Sequence, residues 1–595
     1  MGIAVQANPG KTLLESLAQA GVMVEAPCGG KGICGKCRVL LIQGSLSDGG
    51  AAGKTPLSDR ELESGYRLAC SAIPDGDVTV RVPDEKAEHR ILSDGYVPDF
   101  QFEPSINKRL GEIWKPALDD FSSFEDLIME ATQGKEPTFQ ALRGFRPSVG
   151  LCTFVYDGAD LIGVENGDTT GEIYGISLDI GTTTVVASLI DMSDGSELAV
   201  QSAINPQKQY GLDVLSRITY AQEHGREGLS ELQRTILESF SDMTDKLCEE
   251  RGIDRRCIYQ VTVAANSTML HLLLGVDPAS IGTSPFSPVF TRTKEIWAAD
   301  IGIELAPGAK ILCLPSVSSY IGADIVAGVC VSGMAKGDWG ERVLFIDIGT
   351  NGEIVLADNG RLISCSCAAG PALEGMNISF GMRAAKGAIE DIALTLDGTP
   401  ARCKVIGDVR PVGICGSGIL GAVREMLKVG LVRKNGRILN VKDLPSDDPR
   451  AALCCLYDGK PAVRVYRHGQ DDVLITQNDV RQVQLAKGAI LSGFQALLDV
   501  ARIDMESLDK VLVAGQFGAH LPVESLVGCG ILPRALSGKI EYLGNSSKAG
   551  AYIALLSLPC RKEMEELRKR IRYVELSVSP NYERIFAKCL AFPEQ

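Results

Sequence analysis

One tetrapeptide occurs twice in the chain, as Asp179-Ile-Gly-Thr182 and again as Asp347-Ile-Gly-Thr350. Each copy follows an apolar stretch (174–178 and 342–346) and precedes another (185–190 and 354–357), so each reads as strand, tight turn, strand. A pair of ordinary β-turns would have to repeat both the tetrapeptide and its strand context by chance; two structurally related halves explain both at once. The turn chemistry then narrows the ligand. Gly181 and Gly349 let the backbone approach an anion. Successive amides and the hydroxyls of Thr182, Thr183, Thr184 and Thr350, with Asn351 completing the second turn, can donate to phosphate oxygens. Asp179 and Asp347 suit a magnesium ion held through water, because magnesium takes carboxylates while keeping much of its hydration. Two such hairpins facing each other form a clamp.

The second constraint is at the N-terminus. Residues 28–37 read Cys28-Gly-Gly-Lys-Gly-Ile-Cys34-Gly-Lys-Cys37, and Cys70 follows in Arg-Leu-Ala-Cys70-Ser-Ala. Four thiolates, three of them on one glycine-rich loop, match a [2Fe-2S] cluster; Gly29, Gly30, Gly32 and Gly35 allow the backbone to wrap the inorganic core and aim amides at its sulfides. A zinc knuckle or four unrelated buried thiols is the plainer alternative. Upstream, Thr12 and Glu15 have capping-box spacing before Leu13, Leu14 and Leu17, which predicts a short helix with one apolar face. The loop resembles those of plant- and adrenodoxin-type ferredoxins, with five residues between the first two cysteines as in the latter. Such domains open on a β-hairpin, whereas Gly2-Ile-Ala-Val-Gln predicts a short or missing first strand. The chain has 18 cysteines and 5 histidines. The N-terminus lacks a basic-then-apolar leader, so we expect a cytoplasmic protein whose remaining cysteines are reduced. Cys365, Cys367, Cys454 and Cys455 read as buried apolar thiols, and Cys560 and Cys589 as isolated ones, which predicts a single cluster.

With 595 residues, the chain is long enough for several domains. We expect a ferredoxin-like domain at 1–84, a proline-punctuated linker and small middle domain at 85–170 with a capped helix over 122–131, and an ATP-binding domain at 171–595 in halves of about 171–325 and 326–560. A net charge of −15 without any long Lys/Arg run disfavours nucleic acid or an anionic membrane as partner. No apolar run approaches the roughly 18 residues of a spanning helix. Leu232, Ile236, Phe240, Met243 and Leu247 recur at helical spacing and predict a core-facing helix. Two Gly-x-Gly-x-x-Gly matches, at Gly30 and Gly416, fail as dinucleotide fingerprints. The first has no preceding strand, and the second lacks an acidic residue about 20 positions on.

The paired hairpins resemble those of the acetate and sugar kinase, Hsp70 and actin superfamily, in which two ribonuclease-H-like halves close on ATP. That resemblance implies an α/β multidomain fold: a β-grasp [2Fe-2S] domain, a small middle domain and a two-lobed C-terminal clamp. It also implies an adenosine motif at Val511-Leu-Val-Ala-Gly515-Gln516-Phe517-Gly518, and a helix start near the nucleotide at Gly416-Ser417-Gly418. Asp324 lies where some sugar kinases of the superfamily carry a catalytic aspartate; capping the helix that follows is an equal alternative.

Ferredoxin and ATP clamp together resemble one family, the reductive activators of corrinoid proteins. Further matching motifs are Asn205-Pro-Gln207 with Tyr210-Gly-Leu-Asp213, Asn266-Ser-Thr-Met-Leu-His271, Ala368-Ala-Gly-Pro-Ala-Leu-Glu374-Gly, Gly381-Met-Arg-Ala-Ala-Lys386-Gly-Ala-Ile-Glu390 and Gln484-Leu-Ala-Lys487-Gly-Ala-Ile. The resemblance implies ATP-dependent reduction of cob(II)alamin to cob(I)alamin on a corrinoid protein of a methyltransferase system. It further implies reduced ferredoxin or flavodoxin as donor, and homodimer formation. Plant-type clusters lie near −400 mV, and each ~60 mV of uphill one-electron transfer costs about 1.4 kcal/mol, so a harder acceptor requires coupling to ATP. Three rivals stay open: a small-molecule kinase, an activator of a radical dehydratase or other low-potential redox enzyme, and a redox scaffold that hydrolyses nothing.

Overall fold

The stretches flanking each Asp-Ile-Gly-Thr turn are apolar on consecutive positions rather than alternating ones, the pattern of strands buried on both faces. A computed structural model shows why. It describes residues 5, 10–20, 22, 24, 37–48, 57, 59–82, 95–115, 117, 119, 121–336, 341–395, 401–445, 447–467, 472–515 and 521–594. Tyr174–Ile180 and Thr184–Asp191 form one antiparallel hairpin, Arg342–Ile348 and Gly352–Asp358 the other. Each continues into a third antiparallel strand, Glu197–Ile204 and Arg361–Cys367 respectively. On the other side each first strand is joined by two parallel ones: Ile258–Ala265 and Lys310–Cys313 in the first sheet, Lys510–Ala514 and Ile540–Gly544 in the second. The two sheets thus share one strand order, third-second-first-fourth-fifth, and each gains a sixth edge strand, Lys294–Trp297 or Ile571–Tyr573.

The period of two along Arg342–Ile348 divides its side chains between two cores. Val343 and Phe345 join the large core that fills the first lobe, while Leu344 and Ile346 join the core of the second. Helices Ala323–Ser332 and Ser546–Leu556 pack together and contribute to the first of these cores. Their approach needs glycine: a Cβ on Gly550 would lie 2.3 Å from that of Ala327. The division at 325/326 falls inside Ala323–Ser332, and the limit at 560 inside Leu558–Arg570, because the chain crosses back after its second sheet to cover the first.

The described residues of the stretch over 85–170 are more ordered than its prolines suggest. Ile106–Ile113, Gly150–Asp157 and Asp160–Asn166 form an antiparallel sheet, with helices Phe124–Ala131 and Phe139–Gly144 closing a small core around Ile113, Ile128 and Phe154. Ser123 caps the first of these helices in a reciprocal box with Asp126. At the N-terminus, the Thr12 and Glu15 box precedes helix Leu13–Gln19. Strands Tyr66–Leu68, Arg38–Gln43 and Thr79–Arg81 make a three-stranded sheet beside it. The expected short first strand lies outside the described residues. The core-facing run occupies Val214–Arg251, with Leu232, Ile236, Phe240, Met243 and Leu247 all buried.

Candidate functional site

Each Asp-Ile-Gly-Thr turn emerges at the end of a first strand, so the shared strand order delivers both to the region where the lobes meet. The first loop runs over four residues, 181–184, closed by the Gly181 N–H donating to the Thr184 carbonyl at 2.8 Å. The second is one residue shorter, 349–351, closed by the Gly349 N–H donating to the Asn351 carbonyl at 2.9 Å. Glu374, on the turn Pro371–Glu374, joins the two: its carboxylate accepts the Thr183 hydroxyl at 3.0 Å and the Thr350 hydroxyl. The two hydroxyls lie 3.5 Å apart. Burial pushes the Glu374 carboxyl up, while these hydroxyls and the charges of Arg383 and Lys208 oppose that rise.

The first hairpin is buttressed from behind by two of the sequence motifs. The Asn205 amide donates to the Gly181 carbonyl at 2.8 Å, and its N–H to that of Thr183 at 2.9 Å. Asn266 donates to the Thr182 hydroxyl at 3.1 Å while its oxygen caps helix Ser267–Leu273. Arg217, wholly buried and pulled down to about 9 by desolvation, donates to the carbonyls of Thr182 and Gly211 and to Gln207. Thr182 and Thr183 therefore have partners already, and Thr184 opens the next strand.

The carboxylates differ. Asp179 accepts the Asn545 amide at 2.9 Å and the Ser547 hydroxyl at 2.7 Å, with Lys548 adding positive charge, all from the start of helix Ser546–Leu556. Asp347 has no hydrogen-bonded side-chain partner among the described residues. Desolvation, then the charges of Asp324 and Asp179, push it up to about 8. Directly across the hairpin stands Glu353, also pushed well up, chiefly by desolvation and then by Asp324 and Asp347. Asp324 is pushed up to about 7, mainly by desolvation. It lies in the first turn of Ala323–Ser332, whose N-cap is Gly322, so the capping alternative for Asp324 is wrong. Its oxygen instead accepts the next N–H, of Ile325, at 2.9 Å. Among the described residues, no three His, Cys, Asp or Glu side chains are arranged as direct ligands of one ion. Like-charged carboxyls this close nevertheless suit a hydrated divalent cation.

Gly349 has open space on its side-chain face, as an anion-binding turn requires. Gly515, at φ +91°, lies against Asp347: a Cβ there would fall 2.4 Å from the carboxylate. Gln516, Phe517 and Gly518 lie outside the described residues. Gly416-Ser417-Gly418 does open a helix, Gly416–Lys428, but the two glycines face backbone: Cβ atoms would meet the carbonyls of Leu373 at 1.7 Å and Ile389 at 2.1 Å. Only Ser417 of the three keeps some exposure. A cavity of about 700 Å³ opens beside the second hairpin between the lobes, lined by Phe286, Tyr320, Thr350, Asn351, Ser366 and Tyr573 among others.

Of the cluster cysteines, Cys37 and Cys70 are buried and close in space, because the Ala69 N–H donates to the Cys37 carbonyl at 2.7 Å. Two buried cysteines on neighbouring backbone fit half of a four-sulfur site; Cys28 and Cys34 lie outside the described residues. Cys365 and Cys367 are buried thiols bonded to backbone carbonyls. Cys560, alone in the C-terminal sequence, is buried on helix Leu558–Arg570, and the neighbouring Cys330 thiol holds its thiol below the usual range.

Sequence reasoning assigned no role to Glu374, Arg383, Glu353, Asn545 or Ser547. An acidic residue just before the apolar run 354–357 was the one available signal, for Glu353.

Shared strand order, paired Asp-Ile-Gly-Thr turns and a cysteine-bearing N-terminal domain define a two-lobed ATPase of the acetate and sugar kinase, Hsp70 and actin type joined to an iron–sulfur module. Family comparison agrees: residues 1–75 match the 2Fe-2S iron-sulfur cluster binding domain, 174–337 the RACo middle region, and 341–595 the C-terminal domain of RACo, the ASKHA domain. The chain is 29% identical over 579 residues to the corrinoid activation enzyme RamQ of Eubacterium limosum, covering 95% of this chain and 93% of that one. It is 26% identical over 428 residues, 67% and 73% of the two chains, to the Co(II) methylated amine-specific corrinoid protein reductase of Methanosarcina barkeri. A solved structure of a reductive activator for corrinoid, iron-sulfur protein superposes with a TM-score of 0.72 at 30% identity, over 99% of this chain and 97% of that one. The chain belongs to the reductive activators of corrinoid proteins.

Proposed function

We propose that this protein uses ATP to drive one-electron reduction of cob(II)alamin to cob(I)alamin on a corrinoid protein of a methyltransferase system. The observation that carries the reading is the Glu374 bridge: one carboxylate holds the tips of both hairpins, so an anion entering there acts on both lobes at once. In this reading Gly181, Thr182, Thr183, Thr184, Gly349, Thr350, Asn351, Gly416, Ser417, Gly418, Gly515, Gln516, Phe517 and Gly518 surround the nucleotide. Asp179 and Asp347 hold Mg2+ through water, and Asp324 orients the attacking water. Cys28, Cys34, Cys37 and Cys70 hold the [2Fe-2S] cluster, which when bound supplies single electrons at low potential. The thiols and the clamp lie on one chain, so opening and closing of the lobes changes affinity for the corrinoid partner with nucleotide state. We assign the cluster to 1–84, the small sheet to 85–170 and the clamp to 171–595. We further propose a cytoplasmic homodimer charged by reduced ferredoxin or flavodoxin. Among the described residues no helix is long and apolar enough to cross a membrane.

The test is anaerobic reduction of a cob(II)alamin-loaded corrinoid protein, followed by absorbance, with a low-potential reductant and with or without Mg·ATP. Cob(I)alamin should form only with ATP. Equal yields and equal partner affinity without nucleotide would refute the coupling. ATP consumption stimulated by a metabolite, with no corrinoid reduction, would establish the kinase rival.

A further inference from the structure

Arg383 is the anomaly of the cleft. All three of its guanidinium nitrogens, Nε, Nη1 and Nη2, are occluded and have no hydrogen-bond partner among the described residues. The comparison with Arg217 is direct: that guanidinium is also buried, yet oxygens of Gly211, Gln207 and Thr182 meet it. A guanidinium stays charged in protein surroundings, so an occluded one without acceptors is strongly disfavoured unless an anion arrives. The backbone fixes where that anion would sit. Gly375, next to Glu374, packs so closely on the Met382 carbonyl that a Cβ would lie 2.2 Å from it. The Met382 N–H is held by the Ile414 carbonyl at 2.9 Å. Arg383 is thereby placed beside Glu374, yet the Glu374 oxygens take the hydroxyls of Thr183 and Thr350 and no guanidinium bond.

We infer that Arg383 binds the terminal phosphate of the bound nucleoside triphosphate where the two hairpin tips meet. The inference rests on the nucleotide reading of the cleft and adds a residue and a phosphate position to it. The guanidinium fork matches two phosphate oxygens, which a lysine's point charge cannot do. With the terminal phosphate assigned to the junction of both turns, a diphosphate, ending one group short, would leave Arg383 without an acceptor. Arg383 therefore reports the difference between ATP and ADP, the distinction a nucleotide-driven cycle depends on.

The experiment uses full-length, cluster-loaded protein with Arg383→Met, Arg383→Gln and Arg383→Lys, measuring Mg·ATP and Mg·ADP affinity by calorimetry and thermal midpoints with and without nucleotide. We expect Arg383→Met to weaken ATP binding at least tenfold and ADP binding less than threefold, with Arg383→Lys intermediate and the visible spectrum of the iron–sulfur centre unchanged. Without nucleotide the Met variant should melt at or above the parent temperature, because removing an occluded guanidinium that no described group accepts from outweighs the loss of its attraction to Glu374. A purely structural arginine predicts the reverse. ATP affinity unchanged in both Met and Gln variants, equal losses for ATP and ADP, or a lower nucleotide-free midpoint in both would overturn the inference. If the unsubstituted protein binds no ATP, the nucleotide reading falls and this inference with it, an outcome distinct from a parent that binds and variants that bind equally well.

Discussion

The two hairpins share a tetrapeptide, a strand order and a place in the cleft, yet their aspartates live in opposite surroundings. Asp179 has an amide, a hydroxyl and a lysine beside it and a valine, Val186, across the hairpin. Asp347 has Glu353 across the hairpin and Asp324 near it, and among the described residues no cation opposes their effect on it. The first turn is therefore complete without a ligand. The second is held in a state that a cation would relieve. The two lobes share one turn sequence and one strand order, and what distinguishes them is the set of side chains placed opposite.

The largest effect tests what the hairpins share. Asp179→Ala and Asp347→Ala should each reduce ATP-dependent corrinoid reduction by at least about a hundredfold, the scale on which positioned charge acts at a reacting centre. The iron–sulfur spectrum should stay intact. Loss of cluster and activity together would point to misfolding instead.

Next is the joint between them. Glu374→Ala leaves the Thr183 and Thr350 hydroxyls without their shared acceptor and should cost about 1–3 kcal/mol, read as a lower thermal midpoint of the nucleotide-free protein. Glu374→Gln keeps one carbonyl acceptor and should lose less. If Mg·ATP replaces Glu374 as acceptor, saturating nucleotide will shrink the gap between the alanine variant and the parent. A gap that persists would show that the bridge stays closed over bound nucleotide.

These contrasts also mark what the sequence made legible. The turns were readable because a tetrapeptide and its flanking strands are local, and so were the Thr12–Glu15 capping box and the buried stripe from Leu232 to Leu247. The pairing of Asp179 with Asn545 and Ser547 was not, because it joins positions 366 and 368 residues apart through a chain that crosses back between lobes. Glu374 and Arg383 stood inside recognisable motifs, but spacing cannot tell a carboxylate that bridges two hydroxyls from one on the surface, nor a guanidinium with acceptors from one without. Gly416 and Gly418 show the converse: the pattern was real, and its immediate cause is backbone packing on Leu373 and Ile389.

A smaller effect separates the aspartates by sign. In metal-free, nucleotide-free protein Asp347→Asn should stabilise the fold by about 1 kcal/mol at pH 8, because it removes a poorly accommodated charge. Asp179→Asn should destabilise it by a similar amount, since Asn545 and Ser547 donate to separate carboxylate oxygens, one of which the amide replaces with an N–H donor. The pH dependence follows from the pKa values. Asp324 and Asp347, at about 7 and about 8 in the folded chain, lie above an unfolded carboxyl near 3.9. The folded chain thus binds more protons between those limits. Their contribution to stability is greatest below about pH 4 and is lost as pH rises through 7 and 8. The advantage of Asp347→Asn over the parent should therefore widen from pH 6 to pH 8.5; a constant difference would mean that Asp347 is already ionised in the folded protein at pH 6.

The smallest expected stability effect comes from the glycines, and it separates binding from folding. At Gly349 an added methyl meets nothing closer than the Asn351 carbonyl at 3.7 Å, and the backbone does not require a left-handed conformation. Gly349→Ala should leave the thermal midpoint within about 0.5 kcal/mol of the parent, the usual range for a substitution that breaks no contact. It should still weaken ATP binding, because the methyl occupies the space through which the turn approaches phosphate. At Gly181 the same methyl lies 3.0 Å from the Thr184 carbonyl, the acceptor that closes the first turn. Gly181→Ala should therefore cost about 1 kcal/mol of stability as well as affinity. Calorimetry of both variants with and without Mg·ATP decides the matter. Equal stability losses would mean that the two turns are packed alike and that the open face of Gly349 is filled by the protein itself rather than by its ligand.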